Sequence, residues 1–187
     1  MADPFLLTSF RFEVRLLKSP DILAGRQRLP AAGDGFKAPS GGKQLTEGAF
    51  QGSFQDCTGL EIEMDVQEYL EGGRNNGVVR RVGRAKYAPL VLKRGMFHAP
   101  DAQATVDPAL WYWMQRILNG ERPVPRYDGI VQVMSADKTV RATWVFDRAL
   151  PSKIKGPELN ARTGEVAIEE LTLVHEGLRL LPAEPTP

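Results

Sequence analysis

The sequence has one cysteine, two histidines and no long apolar run. Cys57 alone cannot form an internal disulfide, which fits folding in a reducing compartment. His98 and His175 lie far apart in sequence and lack the spacings of a zinc site. No segment approaches the roughly 20 apolar residues of a membrane-spanning helix, and residues 1–11 lack the features of a signal peptide. We therefore expect synthesis in the cytoplasm, no metal or cofactor, and no direct membrane insertion.

A charge imbalance is also lacking, because 24 basic side chains stand against 23 acidic ones and leave a formal charge of +1. This balance predicts no general attraction to nucleic acid or to anionic lipid. With 187 residues, of which 42% are hydrophobic, the chain is typical of a soluble globular protein. We expect a single domain that spans residues 1–187.

Alternation of apolar and polar residues predicts strands at 10–16, 130–134 and 140–147. The last two are joined by turn-forming residues 135–138, which is typical of a β-hairpin. A further run, 165–181, changes phase, since its apolar residues occupy even positions at the start and odd positions further on. We therefore expect a β-bulge near Glu169 and Glu170, because one extra residue shifts the phase of a strand.

One short α-helix is expected at about 108–119. Asp107 and Pro108 are typical of the first positions of a helix, and Gly120 is typical of the position after its end. The apolar residues between them recur on one helical face: Leu110, Trp113, Met114, Ile117 and Leu118. Residues 19–48, rich in Pro and Gly, predict an irregular insertion loop, and residues 182–187 a flexible tail. The expected fold class is mainly β, an antiparallel barrel or sandwich with this one helix.

A long hairpin between residues 59 and 87 dominates the chain. Its first run alternates apolar with polar side chains, Leu60, Ile62, Met64 and Val66 against Glu61, Glu63, Asp65 and Gln67. The same alternation places a mostly basic set on one face of the second run, namely Arg80, Val82, Arg84 and Lys86. A turn centred between Arg74 and Asn75 sets Asp65 opposite Arg84 and Glu63 opposite Lys86. We expect the apolar face to pack on the core and the charged face to meet water.

The edges of this hairpin predict assembly. Strands of this length and regularity expose unpaired backbone groups unless they close on themselves or pair with another copy. The hairpin contains no proline-rich or lysine-rich stretch that would blunt such an edge. We therefore expect contacts between copies through sheet edges.

No catalytic constellation emerges from the chemistry-bearing residues. Cys57, at the start of a strand, is more typical of a small buried residue than of a catalytic thiol. The acidic residues of the first run are neighbours on a solvated strand face, which does not favour acid/base catalysis. The glycine-rich tip, 72–77, lacks the Lys-Ser/Thr ending and the following helix of a phosphate loop. We expect no enzymatic activity.

A basic patch on the hairpin, formed by Arg74, Arg80, Arg81, Arg84 and Lys86, is a candidate for nucleic-acid binding. Tyr87 is almost its only aromatic neighbour, and carboxylates of the facing strand would neutralise much of its charge. The composition therefore favours a paired strand surface over a nucleic-acid site.

Several segments follow one another in an order that is specific when they are taken together. Residues 52–61 have the pattern Gly-x-Phe-x-x-Cys-x-Gly-Leu-Glu. The others are 10–14, 69–75, 86–87, 92–95, Trp113, 144–146, 149–153, 156–161 and 165–169. Over nearly the whole chain except 19–48, they resemble the tail tube proteins of contractile phages and of phage-derived extracellular injection systems.

The resemblance implies a β-barrel protomer that forms hexameric rings, which stack into a hollow tube inside a contractile sheath. The partners that it implies are other copies of the chain, a sheath protein, baseplate and tube-initiator proteins, a tube terminator, and DNA or effector protein as cargo in the lumen. It also implies assembly in the bacterial cytoplasm, within a virion tail or an injection particle that can be released.

Two sets of residues are then candidates for contacts in the tube. We place Glu61, Glu63, Asp65, Arg84 and Lys86 on the surface that faces the lumen. Together they form a lattice of mixed charge, which would bind cargo of either charge class weakly. At contacts between subunits or stacked rings we place Gly72, Gly73, Arg74, Asn75, Arg26 and Arg28. We expect the insertion loop to order at such a contact or against the sheath.

Three alternatives stay open. The ring protein of type VI secretion shares the barrel and the hexamer, although the Cys-x-Gly-Leu-Glu and Leu-Lys-Arg-Gly motifs favour the phage-like branch. A baseplate tube-initiator has the same barrel and is distinguished by its low copy number rather than by its sequence. A small ligand-binding β-barrel enzyme would be monomeric and would need polar groups that converge in a pocket.

Overall fold

The computed structural model describes residues 11–19, 50–52, 54–70, 72–73, 76–96, 107–160, 162 and 164–182. The strands are β1 (Phe12–Lys18), β2 (Phe50–Gly52), β3 (Asp56–Thr58), β4 (Ile62–Tyr69), β5 (Val79–Tyr87), β6 (Leu90–Gly95), β7 (Tyr127–Met134), β8 (Val140–Lys155), β9 (Ile168–Val174) and β10 (Gly177–Leu181), and the helix is α1 (Ala109–Leu118). The expected insertion loop lies outside the described residues except for Ser19, as does the expected tail except for Pro182. No helix in the described ranges is long and apolar enough to cross a membrane.

The strands form one large antiparallel sheet and one small one. The large sheet has the order β2-β1-β7-β8-β9-β6-β3, with β10 paired to β8, whereas β4 and β5 pair only with each other. Because the end strands β2 and β3 do not pair with each other, the sheet as described is open, and "sandwich" fits it better than "barrel". The predicted fold class, mainly β and antiparallel with one short helix, is confirmed.

Strand β8 joins the two halves of the large sheet because it changes neighbours along its length. Residues 143–146 pair with both β7 and β10, and the region from 150 to 155 pairs with β9. Between them Arg148 has a φ of 53°, in the left-handed region. Its backbone N–H donates to Asp128 Oδ1 at 2.8 Å, and Ser19 Oγ donates to the same oxygen at 2.7 Å. The buried Asp128 therefore satisfies the backbone where the strand bends.

A single hydrophobic core joins both halves of the sheet to α1. Alternate residues of β1, Val14 and Leu16, are fully buried, which confirms the predicted first strand. Other fully or nearly fully buried members are Leu90, Leu92, Leu110, Phe146, Leu171 and Leu173. Trp113 anchors the helix, because its ring lies 4.5 Å from that of Tyr127 and its Nε1 donates to the Pro125 carbonyl at 2.9 Å.

The helix lies where the sequence predicted it, within one residue at each end. The Ala109 N–H donates to Asp107 Oδ1 at 3.0 Å, and Gly120, with a φ of +81°, follows the last turn. The expectation that Leu118 belongs to the buried face is wrong, since its side chain is 76% exposed. One residue turns a helix by about 100°, so Leu118 lies well to one side of the face that holds Leu110 and Trp113.

The second predicted hairpin, β7 with β8, is confirmed, with a turn closed by the Lys138 N–H donating to the Ser135 carbonyl at 3.0 Å. The β-bulge expected near Glu169 and Glu170 is wrong. Strand β9 keeps one register with β6, and Glu169 shares the buried face of Leu171 and Leu173. The apparent change of phase arose because a charged residue occupies a core position. The irregularity lies instead on β8, between Pro151 and Lys153.

Candidate assembly surface

The β4–β5 hairpin stands apart from the large sheet. Neither strand has a ladder partner other than its hairpin mate among the described residues, so both outer edges offer backbone N–H and C=O groups. A two-stranded sheet alone is marginally stable in water. A strand edge of this kind is a template for pairing with another chain, as the sequence predicted.

One face of the hairpin carries an uncovered apolar row. Ile62, Met64, Val66 and Val82 are between 47% and 71% exposed. The expectation that this face packs on the chain's own core is therefore wrong. Leu60, just before β4, does pack against the core, and beyond it the hairpin leaves the body of the protein. The alternating pattern predicted a covered face, but it carried no information on whether this chain's own core covers it.

A β-bulge in β5 corrects the predicted assignment of faces. Glu63 lies opposite Lys86 as predicted, but Val66 lies opposite Val82, so Gly83 and Arg84 together oppose Asp65. Glycine suits this position, because a Cβ at Gly83 would lie 3.0 Å from the Asp65 Cβ. The extra residue brings Val82 onto the apolar face with Val66, and it separates Val82 from Lys86.

The opposite face is charged and open to water. Lys86 Nζ donates to Asp65 Oδ1 at 3.4 Å, and the Arg81 guanidinium carbon lies 4.6 Å from the centre of the Tyr69 ring. Glu63 belongs to this face by register. Of the residues proposed to face a lumen, Glu63, Asp65 and Lys86 are thus brought together, while Glu61 precedes β4 and Arg84 sits in the bulge; all five are exposed.

The hairpin joins the body through a tightly packed root. Gly59 has a φ of +90°, and a Cβ there would lie 2.1 Å from the Pro89 carbonyl oxygen. The Ala88 N–H donates to the Glu61 carbonyl at 3.3 Å. His175, between β9 and β10, places its ring 5.4 Å from that of Tyr87, the last residue of β5. Sequence reasoning assigned His175 no role, and no local pattern marks this contact across the fold.

The tip of the hairpin is described only in part. Gly72 and Gly73 are exposed, and Gly73 has a φ of +88° that suits a tight turn. Arg74, Asn75, Arg26 and Arg28 lie outside the described residues. The assignment of these residues to subunit or ring contacts therefore stays a prediction.

The groups considered as catalytic candidates are Cys57 and the acidic residues of the hairpin. Burial, and next the charge of Asp56, raise the pKa of the Cys57 thiol to about 11, which keeps it protonated at neutral pH. The acidic residues of β4 are all exposed. In the described part of the chain, no group of three or more His, Cys, Asp or Glu residues could hold a metal ion.

The fold and this surface define a β-sandwich protein with an exposed hairpin suited to self-assembly. The family model for the T4-like virus tail tube protein gp19 matches residues 8–179. The chain belongs to this tail tube family, and its role is that of a structural tube protein. None of the curated proteins compared with the chain matches it.

Solved structures show the same fold. A chain of the six-fold symmetrised anti-feeding prophage baseplate is 22% identical, with a TM-score of 0.68 over 99% of this chain and 100% of that one. A chain of the anti-feeding prophage tube-terminating cap is 20% identical, with a TM-score of 0.66 over 98% and 95%. A chain of the sheath-tube complex of the extracellular contractile injection system PVC is 18% identical, with a TM-score of 0.65 over 96% and 93%.

Proposed function

We propose that this chain forms hexameric rings that stack into the hollow inner tube of a contractile phage tail or injection particle. The observation that carries the proposal is the β4–β5 hairpin, whose apolar row and strand edges are left uncovered by the described part of the chain. Membership of a tail tube family supports a neighbouring copy as the cover. The function is mechanical, and it needs no step that makes or breaks a bond.

The apolar row supplies most of the free energy of this contact. Full burial of an aliphatic side chain contributes about 1.5–3 kcal/mol, and the side chains of this row are about half exposed. Each therefore gains roughly 1 kcal/mol when a neighbour covers it. The exposed ion pairs of the hairpin contribute about 0–1 kcal/mol each. Association is thus driven by the apolar face, and the charges contribute alignment.

The charged face would then line the lumen. Its residues are of both signs, Glu61, Glu63, Asp65, Arg84 and Lys86, so a passing DNA or effector protein would meet attraction and repulsion in alternation. Such a surface holds no cargo tightly, which suits a conduit. Contacts between stacked rings are proposed at the hairpin tip and the insertion loop.

The partners that we propose are a sheath protein, baseplate and tube-initiator proteins, and a tube terminator. The support is that chains of the same fold occur in a baseplate, in a tube-terminating cap and in a sheath-tube complex. The proposed site of assembly is the bacterial cytoplasm, before any release of the particle.

Electron microscopy and sedimentation of the purified chain test this function. Wild-type protein is expected to form rings or hollow filaments, whereas Val66→Asp is expected to remain a folded monomer. Val140→Asp is the matched control, because Val140 is 44% exposed and lies on β8, away from the hairpin. A wild-type chain that stays monomeric at every concentration, or a Val66→Asp chain that assembles normally, would overturn the proposal. Single rings that never extend would favour the baseplate initiator.

A further inference from the structure

The two strands of the hairpin carry charge of opposite sign. Residues 61–70 contain four carboxylates and no Lys or Arg, and they are Glu61, Glu63, Asp65 and Glu68. Residues 78–87 contain four basic side chains and no Asp or Glu, and they are Arg80, Arg81, Arg84 and Lys86. The whole chain has a net charge of only +1, so this separation is a local feature.

Pairing within the hairpin leaves much of this charge accessible. Arg80 Nε donates to Glu68 Oε1 at 3.1 Å, and the two side chains remain 72% and 55% exposed. Lys86 and Asp65, whose charged atoms lie 3.4 Å apart, remain 59% and 54% exposed. A strand that approaches either outer edge therefore meets side chains that can still interact across the new pairing.

We propose that this charge separation fixes the polarity of assembly, so that β4 of one copy pairs with β5 of the next and never with a second β4. The inference rests on the proposed ring and concerns how its copies recognise one another. The partner is a second copy of this chain, and its basic strand β5 lies beside the acidic strand β4 of its neighbour.

Backbone hydrogen bonding alone would not make this choice. Two β4 strands related by a two-fold axis also form an antiparallel ladder, and such a contact would end assembly at a dimer. In that dimer carboxylates would oppose carboxylates at a Cβ separation of about 4.5–5.5 Å, which is destabilising. Pairing of β4 with a neighbouring β5 repeats the opposite-sign contacts already present inside each hairpin. This arrangement is head-to-tail, and it closes into a ring when the rotation between copies permits.

Charge-exchanged variants test the inference. One variant carries Glu63→Lys and Asp65→Lys, a second carries Arg84→Glu and Lys86→Glu, and a third carries all four changes. At low salt, neither of the first two is expected to form rings at the concentration at which the wild type does. The protein concentration at which half of the chains assemble should rise roughly tenfold or more. Mixed in equal amounts, these two should form rings in which they alternate.

The variant with all four changes gives the sharpest result. It is expected to assemble with itself but to be excluded from wild-type rings, which native mass spectrometry of a mass-tagged mixture measures directly. High salt should weaken this exclusion, because it screens exposed charges. The neutral pair Glu63→Gln and Asp65→Gln serves as the control, and it should enter wild-type rings. Random mixing of the four-change variant with wild type would overturn the inference, whereas failure of the wild type to form rings would instead overturn the proposed function.

Discussion

Arg94 on β6 and Glu169 on β9 form an ion pair inside the core, with side chains that are only 6% and 1% exposed. Arg94 Nε donates to Glu169 Oε1 at 2.5 Å, and Trp111 Nε1 donates to the other carboxylate oxygen at 2.9 Å. Arg94 Nη1 also donates to Asp107 Oδ2 at 3.1 Å. The pair therefore connects the sheet to the beginning of α1, and every partner in it is hydrogen-bonded.

Removal of the buried carboxylate should be costly. We expect Glu169→Ala to lower the free energy of unfolding by about 3–5 kcal/mol, because it removes the buried partner of Arg94 and leaves only the half-exposed Asp107 to pair with that charge. Urea denaturation of the chain under monomeric conditions measures the loss. The control is Asp56→Ala, which breaks the neighbouring half-exposed pair of Lys93 and Asp56 and should cost about 0–1 kcal/mol.

A double replacement separates the buried charge from the shape of the site. We expect Arg94→Met with Glu169→Leu to recover most of the stability lost by Glu169→Ala, since apolar residues of similar volume often replace a buried ion pair without loss. Equal losses in the free energy of unfolding for Glu169→Ala and Asp56→Ala, or a double variant that is less stable than Glu169→Ala, would contradict this account.

The root of the hairpin depends on a glycine. Gly59→Ala places a methyl group 2.1 Å from the Pro89 oxygen, at a φ of +90° that disfavours any side chain. We expect the free energy of unfolding to fall by about 1–3 kcal/mol. Gly72→Ala is the control, because nothing lies within 4 Å of its added Cβ. If thermal denaturation shows the two variants to be equally stable, the packing of the root is not as described.

Much of the fold could be predicted because an element that buries one face shows a regular spacing of apolar residues in its local sequence. Strand β1 and the helix α1 each bury one face on this chain's own core, so their patterns are complete within short windows. The bulge at Gly83 could not be predicted in this way. One extra residue inverts the alternation after it, and only the register with the facing strand reveals it.

Long-range contacts explain the remaining differences. Glu169 appears polar in any local window, and its burial becomes intelligible only when Arg94, 75 residues away, is brought beside it. The apolar row of the hairpin follows the pattern of a covered face. That its own chain leaves the row exposed is a property of the whole fold, because the hairpin extends beyond the sheet that could have covered it.

The single thiol provides a chemical probe of the folded state. The pKa of Cys57 is raised to about 11 from an ordinary value of 9.0, so the reactive thiolate is roughly 100-fold scarcer at neutral pH than in a free thiol. We expect slow alkylation of the native chain at pH 7.5 and an ordinary rate in urea. Asp56→Asn should accelerate the native reaction, because the neighbouring charge also raises this pKa. A native rate equal to that in urea would contradict the burial of Cys57.

We expect His175 to make the root of the hairpin sensitive to acid. Its ring centre lies 5.4 Å from that of Tyr87 and 5.8 Å from that of Phe146, and both ring nitrogens are buried. Burial lowers the pKa of His175 below its ordinary value of 6.5, and the backbone near Gly177 and Ala88 and the charge of Asp147 oppose this shift only in part. The next residue, Glu176, has its carboxylate paired with Arg126 and Arg148.

The direction of the resulting pH dependence follows from linkage. Below pH 6.5 the unfolded chain binds a proton at this histidine while the folded chain does not, so stability falls as the pH drops toward the lower folded pKa. Above pH 6.5 the contribution is constant. We expect His175→Phe to flatten the decline between pH 6.5 and about 5, a window in which carboxylates with ordinary pKa values near 4 are still ionised. His98→Gln, at the chain's other histidine, is the control and should retain the slope. Urea titrations at several pH values measure it, and an unchanged slope in His175→Phe would exclude His175 as its source.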